Sequence, residues 1–196
     1  MRILTVALAL VLSVSSATMA IADDTPVAVS TASVPSITRF AQVADRLFRG
    51  GQPERSDFST LRDLGIDTVI SFREGDDERA TVEALGMKFV HLPVTMVPFG
   101  LNGPVSKATI DAFFKVVDDP ASGKVFVHCL HGKDRTGLFV SLYRIGRQGW
   151  DVDAAYREAR GIGMSWWHFP ARNTMERFAA ANDHHVIIHA LALGQI

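Results

Sequence analysis

From residue 37 onward the apolar positions fall into short runs punctuated by glycine and proline, and the period of each run names an element. Residues 47–49 predict a strand closed by the turn Gly50-Gly51-Gln52-Pro53. Phe58, Leu61 and Leu64 are spaced for one face of a helix that Ser56 can cap and Gly65 can stop. A strand over 68–72 follows, then a short helix over 76–85 ended by Gly86, then a strand over 88–94 that runs into HLPVTMVPFGLNGP. Ile110, Phe113, Phe114 and Val117 line one side of an amphipathic helix over 106–118, and KVFVH at 124–128 is an apolar strand between Gly123 and Cys129. Helices are predicted over 136–147 and from an Asp151 cap through 160, and Pro170 suits the first turn of a last long one. The tail 186–196, VIIHALALGQI, fits helix or strand.

This strand–helix alternation predicts an α/β fold, with a mostly parallel central sheet flanked by helices on both faces. Such a sheet takes its ligand outside the carboxyl ends of the strands. Cys129 lies at one of those ends.

The first residues follow a different logic. Arg2, an apolar stretch over 3–12 and small residues ending in Ala20-Ile21-Ala22 have the layout of a secretory signal over 1–22, with a mature chain from Asp23. The stretch is shorter than the roughly 20 residues of a spanning helix, so no stable membrane span is expected after cleavage. Residues 23–36, with Pro26 and Pro35, read as a flexible lead-in, and 37–196 as one domain, in an exported protein that is periplasmic or secreted. With 20 basic and 21 acidic residues there is no electrostatic footprint for nucleic acid. Any positive charge that matters must be local. The chain has one cysteine, which excludes an intramolecular disulfide and leaves a thiol that needs a reason.

That reason is the sequence VHCLHGKDRTG at 127–137. A strand ending at Cys129 and a helix starting near Thr136 leave a tight loop whose N–H groups can converge on an anion, and the helix N-terminus adds its dipole. Gly132 permits the bend. Arg135 presents a planar charged fork suited to two phosphoryl oxygens, and Leu130, His131, Gly132, Lys133 and Asp134 complete the phosphate-binding loop. A thiol in such a field is driven toward thiolate, the nucleophilic form. The chemistry implied is attack by Cys129 on phosphorus to give a cysteinyl-phosphate, followed by hydrolysis, with Thr136 donating its hydroxyl to the departing sulfur. His128, alternating away from Cys129 along its strand, orients the loop. No metal or other cofactor is called for.

HCLHGKDRTG resembles the HC-x5-RT/S-G signature of the cysteine-dependent protein-tyrosine and dual-specificity phosphatase superfamily, and bacterial dual-specificity-like members look nearest. LFRGGQPERSDFSTLRDLGIDTVISFR and YRIGRQGWDVDAAYREAR extend the similarity from about Arg46 to Phe178. The resemblance implies a proton donor, usually an aspartate on the loop after the strand preceding the signature strand. HLPVTMVPFGLNGP contains no Asp or Glu, so Asp134 becomes the first candidate and Asp76 and Asp77 the next. Trp166, Trp167 and His168 could wall the pocket, but clustered tryptophans more often pack in a core, which is the expectation here. Arg73 is open to a second phosphate or to a salt bridge with Glu74 or Glu78. Arg49 is expected to be structural.

These readings converge on a phosphomonoester hydrolase acting on a phosphorylated protein, tyrosine-like aryl esters first. The KDR triplet at 133–135 resembles members acting on phosphoinositides or inositol phosphates, which are the alternative. Two rivals from other classes are a phosphate-binding module without turnover and a sulfurtransferase. Oligomeric state is not legible in the sequence.

Overall fold

The computed structural model describes residues 36–95, 105–167 and 169–192. The signal over 1–22, nearly all of the lead-in, residues 96–104 of the proline-bearing segment, His168 and residues 193–196 lie outside the described residues. The strands are β1 (Ala41–Ala44), β2 (Leu47–Gly50), β3 (Ile66–Ser71), β4 (Lys88–His91) and β5 (Lys124–His128). The helices are α1 (Asp57–Asp63), α2 (Arg79–Ala84), α3 (Lys107–Asp118), α4 (Arg135–Gln148), α5 (Val152–Gly161) and α6 (Phe169–Ala192). The sheet order is β1-β2-β5-β3-β4. All pairings are parallel except β1 with β2.

Alternation along the strands divides the core into two layers. Leu47, Ile70, Val125 and Val127 face α3, α4, α5 and α6, where they meet Ile110, Phe113, Leu138, Phe139, Ala159 and Met175. Phe48, Val69 and Phe126 face the other way, onto Phe58 and Leu61 of α1 and Val82 of α2. Helices therefore cover both faces of the sheet, as the strand–helix alternation predicts.

Most boundaries follow local chemistry. Ser106 Oγ accepts from Thr109 N at 3.2 Å and starts α3, and Asp151 Oδ1 accepts from Ala154 N at 2.7 Å and starts α5. At α1 the expectation needs correcting. Ser56 occupies the N-cap but makes no side-chain cap; Asp57, in the first turn, instead ties the helix start to the preceding chain, accepting from Glu54 N and Ser36 Oγ, each at 2.8 Å. Leu64 is not on the buried face: α1 ends at Asp63, Leu64 is exposed, and Gly65, at φ +81, turns the chain into β3. α2 starts only at Arg79, since Asp76 and Asp77 form the turn before it, and β4 ends at His91. β1 was not anticipated: AQVA is too short and too poor in bulky residues to stand out. The tail is helical through Ala192.

Around the carboxyl end of β3, Phe72 stacks on Phe139 of α4, ring centroids 4.2 Å apart, with Phe113 of α3 edge-on to Phe139 at 5.1 Å. All three rings are wholly buried. Phe139→Ala is expected to cost about 3–5 kcal/mol, read as a lower denaturant midpoint at unchanged m-value.

Candidate active site

Register places the site. Gly50 of β2 pairs with His128 of β5, and His128 pairs with Ser71 of β3, so three parallel strands end level. Gly51, Cys129 and Phe72 come next, and Phe72 N donates to His128 O at 2.9 Å. The Cys129 side chain continues the Val125–Val127 face toward α4 and is 3% exposed. His128 points to the opposite face, stacked on Phe126 at 5.6 Å, in line with the expected alternation.

Between Cys129 and α4 the carbonyls of the loop are held by donors from the N-terminal segment. Leu130 O accepts from Gln52 N at 3.1 Å, His131 O from Arg39 Nη1 at 3.1 Å, and Gly132 O from Arg49 Nη2. Gly132 has φ +69, and a Cβ there would fall 2.5 Å from Gly51 N and 2.6 Å from Gly50 C. The glycine pair after β2 and the glycine of the loop are therefore interlocked backbone to backbone, which no side chain could share.

Arg135 opens α4 and turns back over the strand ends, where its Nη1 donates to Phe72 O at 3.0 Å and Val94 O at 3.4 Å. Thr136 is fully buried, and its hydroxyl is directed at Gly50 O at 3.4 Å. Asp134 Oδ1 accepts from Ser165 N at 2.7 Å, and Oδ2 lies 4.0 Å from Lys133 Nζ. His131 and Leu130 are exposed. The reserve donors are engaged elsewhere, Asp76 with Arg79 at 3.0 Å and Asp77 with Arg73 at 3.1 Å. Arg73 also pairs with Glu78 at 3.1 Å, so of its two open readings the ion pair is the one observed. Trp166 and Trp167 correct the expectation of core packing: they are 58% and 37% exposed, in the turn that Ser165 ties to Asp134. Met164 and Ser165 are buried, the second tied to the loop, and the two rings after them face outward.

The sequence offers Glu78 only as an ion-pair partner for Arg73 and Gln52 only as a turn residue, and it gives no sign of Arg39. Glu78 sits under the loop, 5% exposed, with Oε1 3.4 Å from His128 Nε2 and Oε2 accepting from Gln52 Nε2 at 3.3 Å. Burial works to raise its pKa, but the polar His128 and Ser71 side chains beside it and the charge of Arg73 outweigh that and hold it at about 2. Nothing in the acidic run 74–78 distinguishes the one carboxylate that is buried. Arg49 is 1% exposed. Burial lowers its pKa to about 10, against the attraction of Glu158 and the Cys129 sulfur, so it is a cation at neutral pH. Among the described residues no group of three or more His, Cys, Asp or Glu is arranged to hold a metal ion.

Because Glu78 titrates near 2 in the folded chain against an ordinary 4.5, its contribution is complete above about pH 4.5 and fades as pH falls toward 2. Glu78→Gln is expected to lower stability at pH 7 by on the order of 3 kcal/mol. The gap from the parent protein should narrow below pH 4.5 and close near pH 2 when denaturant unfolding is followed across that range.

Comparison with known proteins agrees with this geometry. The chain is 34% identical over 131 residues to the dual specificity protein phosphatase TpbA of Pseudomonas aeruginosa, covering 66% of this chain and 56% of that protein. It is 26% identical over 136 residues to the inositol diphosphatase DSP3 of Arabidopsis thaliana, covering 66% and 64%. In both cases the match spans less than two thirds of the relative. The crystal structure of P. aeruginosa TpbA superposes with a TM-score of 0.62 at 28% identity, covering 76% of this chain and 93% of that one, and its complex with pTyr superposes with 0.60 at 27%, covering 72% and 88%. A family model described as "DSP-PTPase phosphatase fused to NAD+ Kinase" matches residues 16–177. With that match over most of its length, the chain belongs to the DSP-PTPase phosphatase family.

Proposed function

We propose that the protein is a cysteine-dependent phosphomonoester hydrolase, of the tyrosine and dual-specificity type, working from a single domain over 37–196. The observation that carries this reading is the loop after β5: Cys129 at its base, Arg135 at its end, and its middle carbonyls drawn outward. Cys129 attacks phosphorus from the side opposite the leaving oxygen; the S–P bond forms as the P–O bond breaks, and the leaving oxygen takes a proton. Water then attacks phosphorus, the S–P bond breaks, and inorganic phosphate leaves with the thiolate restored. Arg135 and the amides of 130–135 hold the nonbridging oxygens. Among the described residues no hydrogen bond engages Arg135 Nε or Nη2, which leaves that edge for the phosphoryl group.

Thr136 assists the second step by turning its hydroxyl from Gly50 O to the sulfur, and His128, backed by Glu78, fixes the base of the loop. Asp134, held in the loop by the bond from Ser165 N to its Oδ1, is the assigned proton donor. Phosphotyrosine-like aryl esters are the first substrate class; TpbA, the relative at 34% identity, has been crystallised with pTyr. The second reading is an inositol-type phosphate, favoured by the Lys133–Asp134 pair in the loop and by the inositol diphosphatase relative. Export, to the periplasm or beyond, is part of the proposal and rests on the signal-like residues 1–22. No helix among the described residues is long and apolar enough to cross a membrane.

Hydrolysis of p-nitrophenyl phosphate is expected without added metal, and Cys129→Ser should abolish it; a variant that kept full activity would end the proposal. In a panel of aryl, alkyl and inositol phosphates, Asp134→Ala is expected to lose the alkyl and inositol esters by about 10²-fold or more, and the aryl esters by much less, because an alkoxide needs the proton and a phenoxide hardly does. An equal fall across the panel would make Asp134 only a brace for the 164–165 turn.

A further inference from the structure

Arg49 presents a problem that the proposed chemistry leaves unsolved. It sits on β2 opposite Val127, 1% exposed, with its charge inside the protein. A buried guanidinium is expensive unless a carboxylate pairs with it and every N–H is satisfied. Neither condition is met. The nearby carboxylate, Glu158, is taken at both oxygens by Arg144, at 2.7 Å and 3.1 Å. Among the described residues Nε and Nη1 of Arg49 are buried without a hydrogen-bond partner, and Nη2 goes to Gly132 O. A structural ion pair therefore does not explain this residue.

The loop does. In a planar trans peptide the C=O and the following N–H point in opposite directions. Drawing Gly132 O toward β2 therefore aims the N–H of Lys133 away from β2. Arg39 does the same for the N–H of Gly132 through His131 O, and Gln52 N for the N–H of His131 through Leu130 O. Three successive amides are thus turned by three donors from a single stretch of chain, 39–52, and Arg49 is the charged, buried member of the set. Arg49 pairs with Val127, two residues before Cys129 and on the same face of β5, so its charge lies beneath the base of the loop.

We propose that Arg49 is a positioning residue for the phosphate-binding loop: by holding Gly132 O outward it aims the Lys133 amide at the phosphoryl oxygens and adds a second fixed cation beneath them. The proposal rests on the hydrolase reading for its effect on turnover, but not for its effect on anion binding.

The test uses the full chain and compares the parent protein with Arg49→Met and Arg49→Lys. Folding is checked by circular dichroism and thermal melting, affinity for inorganic tungstate by calorimetry, and turnover on p-nitrophenyl phosphate. Arg49→Met is expected to weaken tungstate binding at least tenfold and to lower kcat/KM by about 10²–10³-fold, the range for losing one oriented donor to a developing anion. Arg49→Lys, which keeps a cation and an N–H, should recover part of both. A folded Arg49→Met with parental tungstate affinity and turnover, and only a lower melting temperature, overturns the proposal. If Arg49→Met does not fold, Arg49→Lys decides: native dichroism with binding weakened at least threefold supports the proposal, and parental affinity overturns it. A parent protein that binds tungstate without turning over substrate sinks the hydrolase reading alone, because the loss of binding in the variants still reports on Arg49.

Discussion

The site depends on one constraint: a tight loop cannot present its N–H groups inward unless its carbonyls find donors on the outside. The Gly132 carbonyl, turned into the protein interior, would otherwise go unsatisfied, at a cost comparable to the affinity the amides supply. Here the donors are the amide of Gln52 and the guanidinium groups of Arg39 and Arg49. The glycines at 50, 51 and 132 let the two backbones come close enough for these bonds to form. The LFRGGQP stretch and the signature loop are two halves of one device, and neither makes physical sense by itself.

Below the loop the charges are segregated by face. On the α1–α2 side, Glu78 gathers His128, Gln52, Ser71 and Arg73 into one buried cluster. On the α4 side, Arg144 binds Glu158 through both oxygens and reaches Val43 O at 3.1 Å, fastening β1 to α4 and α5. Arg49, on that same side, is left with Gly132 O as its hydrogen-bond acceptor. The Glu78 carboxylate behind His128 is balanced by Arg73, while Arg49 and Arg135 put positive charge toward Cys129 and the start of α4. This is the polarity that an incoming dianion requires.

What the sequence disclosed follows from how local each signal is. Strand β5, the amphipathic α3, α5 with its Asp151 cap and the loop itself are written in contiguous residues whose spacing carries the physics. Arg49 and Glu78 are different. A charged residue in sequence looks like surface, and only the crossing of β2 beneath the loop, or of the 74–78 turn beneath His128, buries it. Trp166 and Trp167 mislead in the opposite sense: their size suggests a core, whereas the residues buried there are Met164 and Ser165, and both rings face outward. Asp134 was legible as a candidate, but its bond to Ser165 N was not, because it joins positions 31 apart.

The tethers also bear on when the loop can take shape. Arg49 and Gly132 are 83 positions apart, and Arg39 and His131 are 92 apart. Contacts of that separation close late, because the intervening chain must be ordered before they reward it. A nascent or half-unfolded chain therefore carries its thiol in a segment with no shaped oxyanion cradle. On the phosphatase reading, turnover comes only with the finished sheet, whereas the thiol of an incomplete molecule has no more than an ordinary thiol's reactivity.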